Sequence, residues 1–465
     1  MNTKFKRLNW LRSVLGIILS CLALTCEAKD QKPLPNIILF IGDDHNWWSS
    51  GCYGNEVVKT PNLDALAMEG MRFNRAYTTT AMCAPSRAVL YTGLYPHRNG
   101  CHMNHGATNL EVKSLPHYFE PLGYRVVLAG KTHIKPQSVY PFEYIAHEEA
   151  GAVIEGDKPF LLIIASHEPH GPHKKGDFAP EEVIIPPYLP DLPTLRNTTA
   201  SYYNDILLLD SEIGEVREIL KKSGKKENTL FIYAGDHGNG ILSKWSCYEA
   251  GLRVPMIASW PGHIQPGVQS DAIINFADFV PTFFEIVGQT PPKPLDGTSF
   301  LKIMQGEKSK HREYTYGAHT NQGIISGTAY PIRSVCSERF KYIRNLNPEG
   351  QPTSIVTHGF YYTEVTTGLW ADWKKEAEQN ENTARLIKRY LNRPQEELYD
   401  LQNDPWELNN LASNPKFSKI KSDLSSELDR WMEQQNDQGM EAELSVPQMD
   451  WDKRKAARKA STKKS

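Results

Sequence analysis

The chain has 465 residues, of which 40% are hydrophobic and 23% are charged, and its formal net charge is −2. These values are typical of a globular protein with one large core and room for a smaller domain. They exclude the strongly basic composition of a nucleic-acid-binding protein, so local basic residues would have to hold any anionic substrate.

Residues 1–28 carry the pattern of a cleaved secretory signal peptide. Four basic residues precede an apolar stretch over 14–24. Small residues then stand at the two positions that a signal peptidase recognises, so cleavage is expected near Ala28. The apolar stretch is shorter than the ~20 residues that a membrane-spanning helix needs. We therefore expect a secreted or periplasmic mature chain without a transmembrane segment. Lipid attachment through Cys21 or Cys26 is the alternative.

The region 29–294 alternates between strand and helix patterns. Helical periodicity occurs in residues 63–71 and again in 202–222, where apolar residues recur every three or four positions. Short, dense apolar runs bounded by glycine or polar residues predict buried strands, and these cover 36–41, 124–129, 160–165, 229–234 and 254–259. We therefore predict a large α/β domain whose mostly parallel sheet is flanked by helices.

Residues 295–450 show a different pattern, which follows a proline-rich segment. Short strand patterns come first and an amphipathic helix pattern at 417–433 comes last. The strand patterns cover 333–335, 340–344 and 397–401. We predict a smaller C-terminal α+β domain with an antiparallel sheet. The last residues, 451–465, are rich in lysine and arginine without apolar partners and are predicted to form a disordered tail.

Polar side chains directly follow four of the predicted strands. They are Asp43 and Asp44 after the first, Lys131 and His133 after the second, His167 after the third, and Asp236 and His237 after the fourth. In an open parallel sheet a ligand binds beyond the carboxyl ends of the strands, so these groups are expected to converge. Three carboxylates in one place suit a hard divalent cation that prefers oxygen ligands.

Cys83 begins the sequence Cys-Ala-Pro-Ser-Arg at 83–87, and Leu-Tyr-Thr-Gly follows at 90–93. This resembles the Cys-x-Pro-x-Arg motif of the type I sulfatases, in which a formylglycine-generating or anaerobic sulfatase-maturing enzyme oxidises the cysteine to formylglycine. The hydrated aldehyde attacks the sulfur of a sulfate ester, and its second hydroxyl then allows sulfate to be expelled, which a thiol cannot do. The resemblance runs from about Pro35 to Trp431 and implies an alkaline phosphatase-like fold, with 29–294 as the catalytic domain.

The resemblance also implies a metal site and a set of catalytic groups. The implied metal ligands are Asp43, Asp44, the modified Cys83, Asp236 and His237. One calcium ion per chain is expected, with magnesium as the alternative. The implied catalytic groups are Cys83, Arg87, Lys131, His133, His167 and Lys244.

In these implied roles, Arg87, Lys131 and Lys244 would hold the sulfate oxygens and the formylglycine against the charge of the transition state. His133 would act as the base for sulfate release, and either His167 or Lys244 would assist the leaving oxygen. Three further histidines are candidate contacts to the substrate: His105, His170 and His319.

Several stretches are similar to heparan N-sulfatase (sulfamidase), among them 131–142, 330–335 and 397–405. Sulfamidases usually have asparagine where this chain has His237 and arginine where it has Lys244. We therefore expect hydrolysis of O-sulfate esters, with N-sulfates as the alternative, on saccharides such as glycosaminoglycan or algal polysaccharide fragments.

Two other functions compete with this interpretation. A phosphatase or phosphodiesterase of the alkaline phosphatase superfamily would share the architecture, but those enzymes use serine or threonine as nucleophile and normally two zinc ions. An inactive saccharide-binding protein on the same scaffold would require Cys83 to stay unmodified. The cysteine motif and the occupied catalytic positions favour the sulfatase interpretation.

Overall fold

The computed structural model describes residues 33–320, 328–358 and 368–445. The predicted signal peptide and the predicted basic tail both lie outside the described residues. None of the helices in the described part of the chain combines the length and the apolar character that crossing a membrane requires.

Nine of the described strands form one large sheet. Their bounds are β1 Asn36–Gly42, β2 Met71–Tyr77, β3 Arg125–Gly130, β4 Glu143–Ile145, β5 Phe160–Ala165, β6 Thr229–Gly235, β7 Arg253–Ser259, β8 Val268–Ser270 and β9 Ile274–Asn275. The order across the sheet is β4-β3-β5-β1-β6-β7-β2-β8, with β9 also pairing with β2. Among these strands β7 alone runs against its neighbours, so the prediction of a mostly parallel sheet is confirmed.

Helices cover both faces of this sheet and connect its strands. The α-helices are α1 Pro61–Glu69, α2 Cys83–Thr92, α3 Pro96–Asn99, α4 Leu115–Phe119, α5 Ala150–Glu155, α6 Pro193–Lys222, α7 Glu249–Leu252, α8 Phe279–Ile286, α9 Leu301–Met304, α10 Ile355–His358, α11 Leu369–Glu376, α12 Glu381–Leu391, α13 Ser418–Gln434 and α14 Met440–Leu444. Single 3₁₀ turns lie at Gly51–Tyr53, Glu120–Leu122, His147–Glu149, Lys226–Asn228, Phe276–Asp278 and Pro415–Phe417.

The centre of the sheet is buried because its strands are apolar on both faces. β1, β5 and β6 are buried along their whole length. Helix α6 packs on one face through Leu209, Ile213 and Val216, which recur at helical spacing. Each such side chain contributes about 1.5–3 kcal/mol on burial, so the central strands and this helix hold the end of the sheet in place.

One predicted helix ends early in the structure, and four strands of the large sheet were not predicted: β2, β4, β8 and β9. The helix predicted over 63–71 ends at Glu69, because Gly70 lies under the backbone of β7, where an added Cβ would be 2.1 Å from the carbonyl oxygen of Ala258. The next residues form β2, which the sequence did not predict. Arg72 and Asn74 interrupt its apolar pattern, and its pairing with β7 shifts register after Phe73.

A second, antiparallel sheet follows, as predicted for the C-terminal region. Its strands are β10 Thr315–His319, β11 Ile332–Cys336, β12 Phe340–Asn345 and β13 Glu396–Asp400, paired in that order. Helix α13 packs on it, and its Trp431 stacks on Tyr316 with ring centroids 4.9 Å apart. Ala318 N–H donates to the Thr79 carbonyl at 2.8 Å, just before α2. The domain boundary near residue 294 stays a prediction.

Candidate active site

Cys83 is the first residue of α2 and is only 1% exposed. Side chains from the loops after β1, β3 and β6 surround its sulfur. The distances to Sγ are 3.3 Å from His237 Nε2, 3.3 Å from Lys244 Nζ, 3.6 Å from Asp43 Oδ1 and 3.8 Å from Lys131 Nζ. The predicted convergence of these groups at one edge of the sheet is therefore what the structure shows.

Arg87 lies one helical turn beyond Cys83 and faces the same cluster. Its guanidinium NH2 is 3.1 Å from Asp236 Oδ2 and 3.5 Å from Asp43 Oδ1, and the side chain is fully buried. The helix begins at Cys83, so both the cysteine and the arginine are helical. The Nε and NH1 groups of Arg87 have no hydrogen-bond partner within the described chain. They are donors available to an anionic ligand.

Carboxylates and cations alternate around the sulfur. Asp43 pairs with Lys131, and Asp44 accepts from Lys244 Nζ at 2.9 Å. Asp236 Oδ1 accepts from the backbone N–H of Asp44 at 2.9 Å. Burying carboxylates is costly unless they are paired, and the two lysines with Arg87 supply that pairing here.

The same carboxylates form a set of donors that fits a divalent cation. One ligand atom from each of Asp43, Asp44, Cys83 and His237 lies within 4.8 Å of the others, and all four residues are buried. Asp236 lies beside this set, with Oδ1 3.7 Å from His237 Nε2. Carboxylate oxygens with one imidazole match the ligand preference of a hard cation. A metal ion can therefore be held here; which ion it is stays a prediction.

The electrostatics of the cluster favour an anion at position 83. Burial raises the pKa of the Cys83 thiol, but Lys131, Lys244 and His237 outweigh it, and the pKa falls well below its usual value. Burial also opposes the charge on Asp43, yet Lys131 and Arg87 lower its pKa to about 2. The site is built to stabilise negative charge at the position of the sulfur.

Two of the predicted histidines meet next to Cys83. His133 Nε2 lies 2.6 Å from His105 Nδ1, with ring centroids 4.5 Å apart. His105 was predicted to contact substrate, and the structure places it against the predicted base. Hydrogen bonding between the two rings fixes the orientation of His133.

The other predicted histidines are His167, His170 and His319, and they differ in their burial and in their contacts with the side chains around Cys83. His170 Nε2 lies 3.9 Å from Asp44 Oδ2. His167 is exposed, and partial burial and then the charge of Lys131 lower its pKa. His319 is buried in β10, and burial lowers its pKa to about 3, with Arg393 adding to the effect. No described contact joins His319 to the Cys83 cluster, so its substrate role stays a prediction.

Comparison with known proteins agrees with this geometry. The sulfatase family model matches residues 35–154 and 144–289, and a model described as N-sulphoglucosamine sulphohydrolase, C-terminal, matches 235–351. An ulvan-active sulfatase of Formosa agariphila is 38% identical over 436 residues, covering 89% of this chain and 83% of the relative. The chain belongs to the sulfatase family.

Two further relatives extend the comparison for this sulfatase. Human N-sulphoglucosamine sulphohydrolase is 28% identical, with 89% of this chain and 92% of the relative covered. A solved structure in complex with D-glucosamine-2-N,6-O-disulfate has a TM-score of 0.65 and 22% identity, with 87% of this chain and 98% of the other covered. At that identity the structural likeness establishes the shared fold.

The sulfatase holds several site residues in strained backbone conformations that the sequence did not reveal. Five non-glycine residues around the site have positive φ angles: Asp44 (64°), His105 (58°), His133 (46°), Leu242 (55°) and Trp245 (60°). Such conformations cost of order 1–3 kcal/mol each and persist only where the surroundings enforce them. They occur in the loops that carry Asp43 and Asp44, the histidine pair and Lys244.

Sequence reasoning also missed Asn104, which fixes the start of α2. Its side-chain oxygen accepts from Ala84 N–H at 3.2 Å. Thr108, in the same loop as Asn104, extends the connection, because its N–H donates to the carbonyl of Lys135 in the segment after β3 at 2.9 Å. The loop therefore ties α2 to the segment that carries His133. A lone asparagine in a loop gives no signal of this role in a single sequence.

Proposed function

We propose that this sulfatase releases sulfate from a sulfated saccharide through a formylglycine made from Cys83. The observation that carries the proposal is that Lys131, Lys244 and His237 surround Cys83 Sγ within 3.8 Å, beside a buried group of carboxylates. The similarity to ulvan-active sulfatase, and to N-sulphoglucosamine sulphohydrolase, supports a saccharide as the carrier of the sulfate.

The residues around position 83 divide the work of the reaction. A formylglycine at this position supplies a geminal diol, one hydroxyl of which attacks sulfur while the other allows sulfate to leave and the aldehyde to return. Lys131, Lys244 and Arg87 hold the sulfate oxygens and offset the charge that builds on them. His133, oriented by His105, accepts the proton of the diol. His167, or Lys244, donates a proton to the leaving oxygen.

Replacing either lysine should reduce turnover more than stability. We expect Lys131→Ala and Lys244→Ala each to lower kcat/KM by about 10²–10³-fold, because each removes a preorganised positive charge from the transition state. The matched control is Lys341→Ala, since Lys341 is buried as Lys244 is, with 1% and 4% of the side chains exposed, and pairs with Glu249 at 3.1 Å. The control should lose thermal stability but keep its turnover per folded molecule. Equal kinetic losses in the control and the site variants would contradict the role.

We assign calcium to the site formed by Asp43, Asp44, Asp236, His237 and the group at position 83. Held by these residues it would add positive charge beside the sulfate, and magnesium is the alternative. Calcium at 100 times its Kd should stabilise the fold by about 2.7 kcal/mol relative to protein in EGTA. Thermal unfolding with calcium, magnesium and EGTA measures this. In the Asp44→Asn chain, calcium should no longer raise the unfolding temperature. An unchanged calcium-dependent rise in the unfolding temperature would contradict the assignment.

The sulfate linkage separates two candidate substrates. O-sulfate esters are favoured by His237 and Lys244, which differ from the residues usual in sulfamidases. N-sulfates are favoured by the match of residues 235–351 to the N-sulphoglucosamine sulphohydrolase C-terminal model. Sulfate release should be measured on defined O-sulfated and N-sulfated oligosaccharides, with protein coexpressed with a maturation enzyme. An aryl phosphate hydrolysed faster than every sulfate in the panel would overturn the proposed function.

We assign the mature chain to a secreted or periplasmic location. The basic and apolar pattern of residues 1–28 supports this assignment. The maturation partner would be a formylglycine-generating enzyme or an anaerobic sulfatase-maturing enzyme. N-terminal sequencing of the protein purified from its native host tests the location, and a chain that retains residues 1–28 would contradict cleavage.

A further inference from the structure

We infer that residues 170–175, named here the basic rim, bind a second anionic group of the saccharide next to the sulfate that is cleaved. The segment reads His-Gly-Pro-His-Lys-Lys. The inference rests on the proposed function, because it concerns the same substrate. The side chains of the basic rim are different from the proposed nucleophile and the proposed metal ligands.

The basic rim starts at the edge of the reaction centre. The backbone N–H of Asp43 donates to the carbonyl of Glu168 at 2.9 Å, so the chain leaves β5 in direct contact with a metal-binding residue. Two residues later His170 Nε2 lies 3.9 Å from Asp44 Oδ2. The following residues extend outward from there, and Lys174 and Lys175 are exposed. Lys174 and Lys175 follow His170 by four and five residues, so they lie on the same segment as the groups that contact Asp43 and Asp44.

A buried carboxylate holds the basic rim in place from below. Asp205 on α6 is fully buried and accepts two hydrogen bonds, from His173 Nδ1 at 2.8 Å and from the backbone N–H of Lys174 at 3.1 Å. The His173 ring also packs edge-on against Tyr202 of the same helix, with centroids 5.6 Å apart. Because a rigid helix fixes this turn, little ordering is left to oppose the binding of an anion.

The two lysines of the basic rim can be recruited by an anion at little cost. Lys174 pairs with Glu168 at 2.5 Å, but its side chain is 60% exposed, and exposed ion pairs contribute about 0–1 kcal/mol. Lys175 makes no ion pair with any residue that the structure describes. The acidic residues that flank the basic rim in the sequence are Glu168, which pairs with Lys174, and Asp177, which is exposed.

The chemistry of the basic rim suits a sulfate or a carboxylate. Lysine ammonium groups bind either as point charges and do not require the flat, bidentate geometry that arginine imposes. The substrate class is therefore a saccharide with at least two anionic groups, one at the reaction centre and one at the rim. The second group can be another sulfate or the carboxylate of a uronic acid.

Binding to a chain that cannot turn over tests the inference directly. Calorimetry on the Cys83→Ala chain should compare three probes: a monosulfated disaccharide, the same disaccharide with a second sulfate, and a monosulfated disaccharide with a uronate carboxylate. In this background, Lys174→Ala/Lys175→Ala should reduce the preference for the two dianionic probes over the monosulfated one by about threefold to tenfold. The matched control is Lys374→Ala/Lys375→Ala, an adjacent exposed lysine pair on α11.

The outcomes separate this inference from the proposed function. A preference unchanged in the rim variant, or reduced equally in the control, overturns the inference alone. A loss for only one dianionic probe supports it and identifies the second group as sulfate or carboxylate. The preference should also shrink at about 1 M salt, where the Debye length is about 3 Å. If none of the probes binds to the Cys83→Ala chain, the inference is overturned, whereas the proposed function is decided by sulfate release from the unsubstituted chain.

Discussion

Cys83→Ala should abolish sulfate release while the chain keeps its fold. Loss of a nucleophile lowers turnover by roughly 10⁴-fold or more, because the remaining charges can bind sulfate but have no group that attacks it. The substitution removes one buried sulfur atom, so we expect a change in the free energy of unfolding of about 1 kcal/mol. Turnover of a sulfated oligosaccharide and thermal unfolding of the same preparation measure both quantities.

Cys336→Ala is the matched control for this prediction. Cys336 is 2% exposed in β11, and its sulfur contacts the Ser337 carbonyl at 3.2 Å rather than any charged group of the site. The control should lose similar stability and retain its turnover. The mass of the peptide that contains residue 83 provides a second test, since formylglycine is lighter than cysteine. Retained activity in the Cys83→Ala chain would refute the proposed chemistry.

Arg87→Ala should produce the largest loss of stability of any single substitution proposed here. Removing one partner of a buried ion pair costs about 3–5 kcal/mol, because the remaining charge is left uncompensated. Here the guanidinium contacts two carboxylates, Asp43 and Asp236, and at most 1% of any of the three side chains is exposed. Burial already raises the pKa of Asp236 to about 6, although His237 and Arg87 oppose that rise. Chemical unfolding in EGTA, without a bound cation to compensate, measures the loss.

Two controls separate charge from geometry at this position. Arg87→Lys keeps the charge and should recover most of the stability but not the activity, because lysine cannot reach both carboxylates and a sulfate. Arg125→Ala removes an arginine whose ion pair with Glu143 is partly exposed, and it should cost no more than about 1 kcal/mol. Equal losses for Arg87→Ala and Arg125→Ala would show that burial of the pair does not control its contribution.

The strands of the large sheet were predictable because burial on both faces leaves a continuous apolar run. The run at 160–165 coincides with β5, and β1 and β6 each extend one glycine beyond the prediction. Convergence of the site followed from the same pattern, since polar residues come directly after neighbouring parallel strands. The α/β architecture and the smaller antiparallel sheet were both predicted correctly.

The parts that the sequence did not predict depend on contacts between distant segments. β10 ends at His319, which was predicted as a substrate contact but is 3% exposed within the strand. The histidine pair formed by His105 and His133 needs two left-handed residues from separate loops to meet, and neither is glycine or asparagine. Packing of the whole site enforces these backbone conformations, so no local sequence pattern predicts them.

The burial of α2 has a consequence for how the enzyme becomes active. All ten of its residues are buried, from Cys83 to Thr92, so the Cys-Ala-Pro-Ser-Arg sequence is inaccessible in the folded protein. If Cys83 is oxidised to formylglycine as we propose, the modifying enzyme must reach this stretch before α2 is buried. Under that proposal, chains that fold first remain inactive thiol protein, and the active fraction depends on the relative rates of oxidation and folding.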